Sequence, residues 1–151
     1  MSVEVGSMQV RKAVTVPLEP ERAFELFTAR MGEWWPTATH SVHGERVTEL
    51  VVEERVGGRV FERTADGEEA HWAFVRAWEP PRLLVLEWKV NPDAAAPTEV
   101  EVRFAPVEGG TRLELVHRGW ERLVAGAEDA RSSYDTGWDA VLAPYVERAV
   151  Q

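Results

Sequence analysis

Apolar and polar residues alternate in short runs through the middle of the chain, then recur at three- and four-residue spacing near its end. Thr98 to Phe104 sets Val100, Val102 and Phe104 against Glu99, Glu101 and Arg103. Thr111 to His117 sets Leu113, Leu115 and His117 against Arg112, Glu114 and Val116. A period of two sends successive side chains to opposite faces, so both runs predict antiparallel strands with one solvated face. Gln9 to Val16 has the same form, with Val10, Val14 and Val16 opposite Arg11, Ala13 and Thr15. Further strands are expected over Val47–Arg55, Arg59–Thr64, Glu69–Glu79 and Arg82–Val90. Gly57-Gly58, Asp66-Gly67, Pro80-Pro81 and Gly109-Gly110 punctuate them as turns and breaks. Within Glu69–Glu79, strict alternation puts Trp72, Phe74 and Trp78 on one face and His71, Ala73, Val75 and Ala77 on the other. Both faces are apolar enough to be covered.

Pro20 to Thr28 predicts a helix, with proline in its first turn, Glu21 near its positive end, and Ala23, Phe24, Leu26 and Phe27 on its buried side. A second short helical piece carries Trp34 and Trp35, one expected to pack inward and the other to close the rim of a pocket. A third is expected at Trp120–Val124. From Asp129 to Ala149 the stripe Tyr134, Trp138, Val141, Leu142, Tyr145, Val146 and Ala149 predicts one long amphipathic helix. Pro144 lies inside it, where a missing N–H and a ring clash cost roughly 3 kcal/mol, so a kink or early break is expected there. Consecutive hairpins with helices segregated in sequence describe an α+β fold.

At 151 residues the chain has the size of one domain. The expected division is a domain over 8–150 preceded by a loose end at 1–7. A net charge of −9 argues against nucleic acid and against an anionic membrane surface. No apolar stretch reaches transmembrane length, and no signal pattern opens the chain, so a cytoplasmic location is expected. With no cysteine, there is no disulfide, thiolate metal ligand or thiol nucleophile. Seven tryptophans are the compositional surplus. They suit a core, and they also suit the wall of a cavity that takes an apolar ligand.

Candidate chemistry is sparse. His40 and His43 stand three apart in a loop, short of the ligands a tetrahedral metal site needs. His117 falls on the inward register of its strand, while the direction of His71 is open. Ser41 and Ser132-Ser133 lie in no nucleophile-elbow context. The paired carboxylates sit where a solvated strand face puts them. One of Glu62 and Arg63 is free to point inward beside Phe61. Tyr134 and Tyr145 each bring apolar area and a hydroxyl that needs a partner when buried.

Several segments resemble the START-like, helix-grip superfamily, and within it the branch of homologues of the activator of heat-shock-protein-90 ATPase. They are Pro20-Glu21-Arg22-Ala23-Phe24-Glu25-Leu26-Phe27, Trp34-Trp35-Pro36, Gly57-Gly58-Arg59-Val60-Phe61 with Asp66-Gly67, Glu79-Pro80-Pro81-Arg82-Leu83-Leu84 with Trp88, Gly110-Thr111-Arg112-Leu113 with His117, and Gly137-Trp138 with Leu142. The resemblance implies a curved antiparallel sheet of about seven strands gripping the C-terminal helix, with two short helices after the first strand. It also implies a cavity between sheet and helix. Trp35, Phe61, Trp72, Phe74, Trp88, His117, Tyr134 and Trp138 are the expected lining, and a small apolar or aromatic molecule the expected partner. The reading leans away from catalysis and names no catalytic residue, metal or cofactor. A cyclase- or hydrolase-like enzyme using the same cavity stays open, as do a stress- or chaperone-linked interaction module and a homodimer.

Overall fold

A computed structural model describes residues 9–90, 97–120 and 126–151. The loose end expected at 1–7, most of the loop expected at 91–97, and all but Trp120 of the helical piece expected at Trp120–Val124 lie outside those residues. Seven strands follow the alternating runs: β1 (Val10–Val16), β2 (Val47–Val52), β3 (Arg59–Thr64), β4 (Glu69–Glu79), β5 (Leu83–Trp88), β6 (Thr98–Val107) and β7 (Gly110–Arg118). They form one antiparallel sheet in the order β1-β7-β6-β5-β4-β3-β2. Every consecutive pair from β2 onward is a hairpin neighbour, and β1 joins the far edge against β7. The tightest hairpin, between β6 and β7, needs glycine twice. Gly109 has φ 85°, and a Cβ on Gly110 would stand 1.9 Å from the Val16 carbonyl oxygen.

The two α-helices fall where the periodicity puts them, while Trp34 and Trp35, expected on a short helical piece, lie just beyond a 3-10 turn. α1 (Pro20–Phe27) turns Ala23, Phe24, Leu26 and Phe27 to the core. Short 3-10 turns follow at Met31–Glu33 and Gly44–Arg46. α2 (Ala127–Ala149) buries Trp138, Val141, Leu142, Tyr145 and Ala149. This is the expected helix-grip arrangement of sheet and long C-terminal helix.

Two expectations are corrected. The early break allowed for at Pro144 does not occur: α2 runs on through it to Ala149. Ala140, whose carbonyl loses its partner to the proline, is exposed and open to water, while Tyr145 and Ala149 are buried beyond it and hold the last turns down. Second, β4 does not alternate strictly. Its pairing with β3 jumps from Val60↔Ala73 to Phe61↔His71, so Trp72 is an extra residue. Its pairing with β5 jumps from Val75↔Leu86 to Ala77↔Val85, so Arg76 is another. Each bulge shifts the register by one and flips the facing residues. Trp72, Ala73, Val75 and Trp78 therefore face inward. Phe74, caught between the bulges, faces out at 37% exposure, stacked with the His71 ring and beneath Arg76.

Ties between the helices and the sheet are specific. Lys12 of β1 meets Asp135 and Asp139 of α2 at 3.0 Å each. The fully buried Tyr145 hydroxyl donates to the Ala23 carbonyl of α1 at 2.9 Å. Burial raises its pKa, so it remains a donor. Tyr145→Phe removes that bond, which ties α2 to α1. The expected loss is about 1–2 kcal/mol in urea unfolding at pH 7, with the m-value unchanged.

Candidate functional site

Between α2 and the centre of the sheet lies a recess of about 230 Å³. Trp72 reaches it from the β4 bulge, Trp88 from the end of β5, Tyr134 and Trp138 from successive turns of α2, and Trp35 from the segment after the first 3-10 turn. Thr39, His40 and Ser41 border it from the following loop. The indoles are in mutual contact: Trp35 lies 4.9 Å from Trp72 and 5.8 Å from Trp138, and Trp88 lies 5.7 Å from Trp138, centroid to centroid.

An indole has one donor and no acceptor, and in this wall every donor is taken. Trp35 Nε1 donates to the His40 carbonyl at 2.8 Å, and Trp72 Nε1 to Glu62 Oε1 at 2.7 Å. Trp88 Nε1 donates to the Tyr134 hydroxyl at 3.0 Å, and Trp138 Nε1 to His117 Nδ1 at 3.0 Å. What remains facing the recess from these rings is carbon and π-surface.

His117 is fully buried on β7. Because Trp138 can only donate, His117 Nδ1 accepts. The ring proton therefore sits on Nε2 and is donated to Thr98 Oγ1 at 2.7 Å. Burial alone pushes its pKa down to about 3, so it is neutral at pH 7. The ring also stacks 4.3 Å from Trp120 and 4.9 Å from Tyr134. It holds the wall in place from behind.

The adjacent tryptophans divide as expected. Trp34 turns away from the recess into Phe27 and Tyr145 and donates to the Leu26 carbonyl at 2.7 Å. Trp35 faces the recess. Of the eight residues expected to line it, Trp35, Trp72, Trp88, Tyr134 and Trp138 do so, and His117 backs it. Phe61 and Phe74 do not. Phe61 points to the outer face of the sheet, under the guanidiniums of Arg59 and Arg63 at 4.2 and 5.3 Å. His71 shares that outer face, and Tyr145 packs beneath α1, away from the recess.

The residue that sequence reading undervalued is Glu62. It is fully buried on the inward face of β3, between Val60 and Thr64. Its carboxylate accepts from Trp72 Nε1, the Val42 and His43 backbone N–H groups at 2.8 and 2.7 Å, and the His43 ring Nδ1 at 2.7 Å. Burial pushes its pKa up, but the backbone, indole and imidazole hydrogen bonds together outweigh that and hold it below the usual carboxylate range. His43 is thus a clamp for the 37–43 loop. The described residues contain no group of three or more metal-ligating side chains, and His40 bonds instead to Thr39 Oγ1 at 2.8 Å. The shared parity of Val60, Glu62 and Thr64 was the available signal for this site.

Sheet, long gripped helix and aromatic recess define a START-like helix-grip protein. The chain belongs to the family of Activator of Hsp90 ATPase homolog 1-like proteins, whose model matches residues 17–145. Among solved structures it is similar to the anthrahydroquino-Gama-pyrone synthase Txn09 complexed with SUM, at 35% identity over 84% of this chain and 86% of that one, with a TM-score of 0.56. It is also similar in fold to the Aha1 dimer from Colwellia psychrerythraea, at 17% identity, 92% and 93% coverage, and a TM-score of 0.65. The protein NE0264 from Nitrosomonas europaea matches at 12% identity, 97% and 96% coverage, and a TM-score of 0.71. No curated protein matches the chain. No described helix is long and apolar enough to cross a membrane.

Proposed function

We propose that this protein binds a small planar aromatic molecule in the recess between α2 and the sheet. The observation that carries the reading is the consumption of all four indole N–H groups by protein acceptors, which leaves a wall of π-faces. Such a wall favours a flat apolar ligand through area burial and ring stacking. The volume of about 230 Å³ suits a ligand of two or three fused rings. The synthase of 35% identity carries a fused aromatic system in its name, which supports the same ligand class.

Isothermal titration with anthracene-2-sulfonate tests the reading. A Kd in the range of roughly 1–100 μM is expected, with a negative heat-capacity change from apolar burial. Trp138→Leu should weaken binding at least about tenfold, a loss of roughly 1.4 kcal/mol. No detectable heat with this probe or with other tricyclic aromatics defeats the proposal.

The same synthase favours a second reading, catalysis within the recess, with Tyr134 as proton donor. His117 gives it no help, since its partners are Trp138 and Thr98 and not a tyrosine or carboxylate. Turnover of an aromatic polyketone that is lost in Tyr134→Phe would establish catalysis. Binding without turnover leaves a carrier.

A further inference from the structure

The polar groups around the recess differ in what they have left to offer. Ser41 Oγ donates to the Thr37 carbonyl at 2.5 Å and accepts from the Gly44 N–H at 2.8 Å, so both of its roles are filled. Thr39 Oγ1 and His40 Nδ1 bond to each other on the exposed loop. The indole protons are all committed. On the wall itself Tyr134 is the exception, while at the rim His40 Nε2 also has no protein partner among the described residues. The Tyr134 oxygen accepts from Trp88 Nε1, and among the described residues its own hydroxyl proton has no acceptor. It also stands on the recess wall, on a helix turn fixed by Trp138 one turn further along.

We propose that Tyr134 is a specificity-determining residue that donates its hydroxyl proton to a carbonyl oxygen on the ligand, so that the recess selects aromatic ketones and quinones over hydrocarbons of the same shape. This rests on the reading of the recess as an aromatic binding site and adds the chemical group the ligand must carry. The direction of the bond follows from the Trp88 contact. An indole N–H approaching the phenol oxygen occupies an acceptor position and polarises the O–H, which strengthens it as a donor. A ligand hydroxyl that also sought to donate to the same oxygen would compete with Trp88, whereas a carbonyl oxygen, which can only accept, would not. Burial raises the Tyr134 pKa, and the Trp88 bond only partly offsets this, so the phenol keeps its proton at neutral pH. A site built to hydrogen-bond a ligand rejects an analogue lacking the matching group more strongly than an apolar pocket can, because the buried polar group is then left unpaired.

The test uses two probes with one ring frame and one sulfonate: anthraquinone-2-sulfonate, which has two ring carbonyls, and anthracene-2-sulfonate, which has none. Calorimetric titration of the intact protein should give the quinone an affinity at least tenfold above that of the hydrocarbon. In Tyr134→Phe the ratio should fall to about one while the hydrocarbon affinity stays within about twofold. That change in ratio is a readout a merely structural role would not move. Equal affinity in the natural protein overturns the carbonyl preference and leaves the aromatic site standing. A preference that survives in Tyr134→Phe overturns the assignment to Tyr134. Failure of both probes to bind defeats the aromatic site itself and this inference with it. Because Tyr134→Phe also strands the Trp88 N–H, its folding must be checked by thermal unfolding. Should it not fold, difference infrared spectroscopy of the quinone bound to the natural protein decides. A carbonyl band lowered relative to the quinone in an apolar solvent supports the bond, and an unshifted band overturns it.

Discussion

Glu62→Ala is expected to lower unfolding free energy by roughly 3–5 kcal/mol, the usual cost of removing one side of a buried charged network. Four donors converge on this carboxylate. Removing it leaves the Trp72 N–H without a partner in the interior, where an unsatisfied polar group costs about 1–3 kcal/mol. The Val42 and His43 amides can turn to water, but only by releasing the 37–43 loop. Hydrogen exchange should therefore show those two amides losing protection far beyond what the drop in global stability explains. Glu62→Gln keeps the shape and one acceptor oxygen but aims an NH₂ at a ring of donors, so it should fall between alanine and the natural residue. A stability change under about 1 kcal/mol in Glu62→Ala, measured by urea unfolding at pH 7, would show that the network does not hold the wall.

Acid should destabilise the protein well before its ordinary carboxylates titrate, and His117 is the cause. Its folded pKa of about 3 lies below the unfolded value near 6.5. Between those values the unfolded chain binds a proton that the folded chain does not. The stability this gives is fully present above about pH 6.5 and is lost as pH falls towards 3. At 1.36 kcal/mol per unit, the loss is about 2 kcal/mol by pH 5, and on the order of 4–5 kcal/mol if carried through to pH 3. His71, whose pKa burial also lowers, adds a smaller loss of the same sign from the outer face. The decisive comparison is urea unfolding at pH 7 and pH 5 for the natural protein and for His117→Gln. Glutamine can accept from Trp138 and donate to Thr98 but does not titrate. Most of the pH 5 loss should vanish in the variant, and an equal loss in both would remove His117 as its source.

The strands were legible in the sequence because one face of each is solvated, so Val100-Val102-Phe104 and Leu113-Leu115-His117 carry their burial in a period of two. The long helix was legible for the parallel reason, and Tyr134 and Trp138 came out on the recess from their place on its stripe. What escaped prediction has a common physical origin: it depends on pairing between strands, not on the order of residues within one. The Trp72 and Arg76 bulges are set by the partners β3 and β5, and only their pairing reveals that Phe74 is turned outward. Phe61 is apolar and buried, yet two guanidiniums cover it on the outside. Glu62 reads as a surface charge until the loop donors that reach it, some twenty residues earlier in the chain, are in place. At Pro144 the local penalty stands, but burial of Tyr145 and Ala149 beyond it keeps the helix from ending there.

The position of β1 sets an order of events in folding. Six strands from β2 to β7 are joined to their sequence neighbours by hairpins and can zip together locally. β1 cannot, because among the described residues its only strand partner is β7, where Val10 faces His117. Closing a loop of roughly a hundred residues carries an entropy cost of about 4 kcal/mol before any contact is gained. The N-terminal strand is therefore expected to dock last, given the high sequence separation of its contacts. Until it does, β7 is an open sheet edge ready to pair with another chain. During synthesis β1 is made well before β7 and waits for its partner.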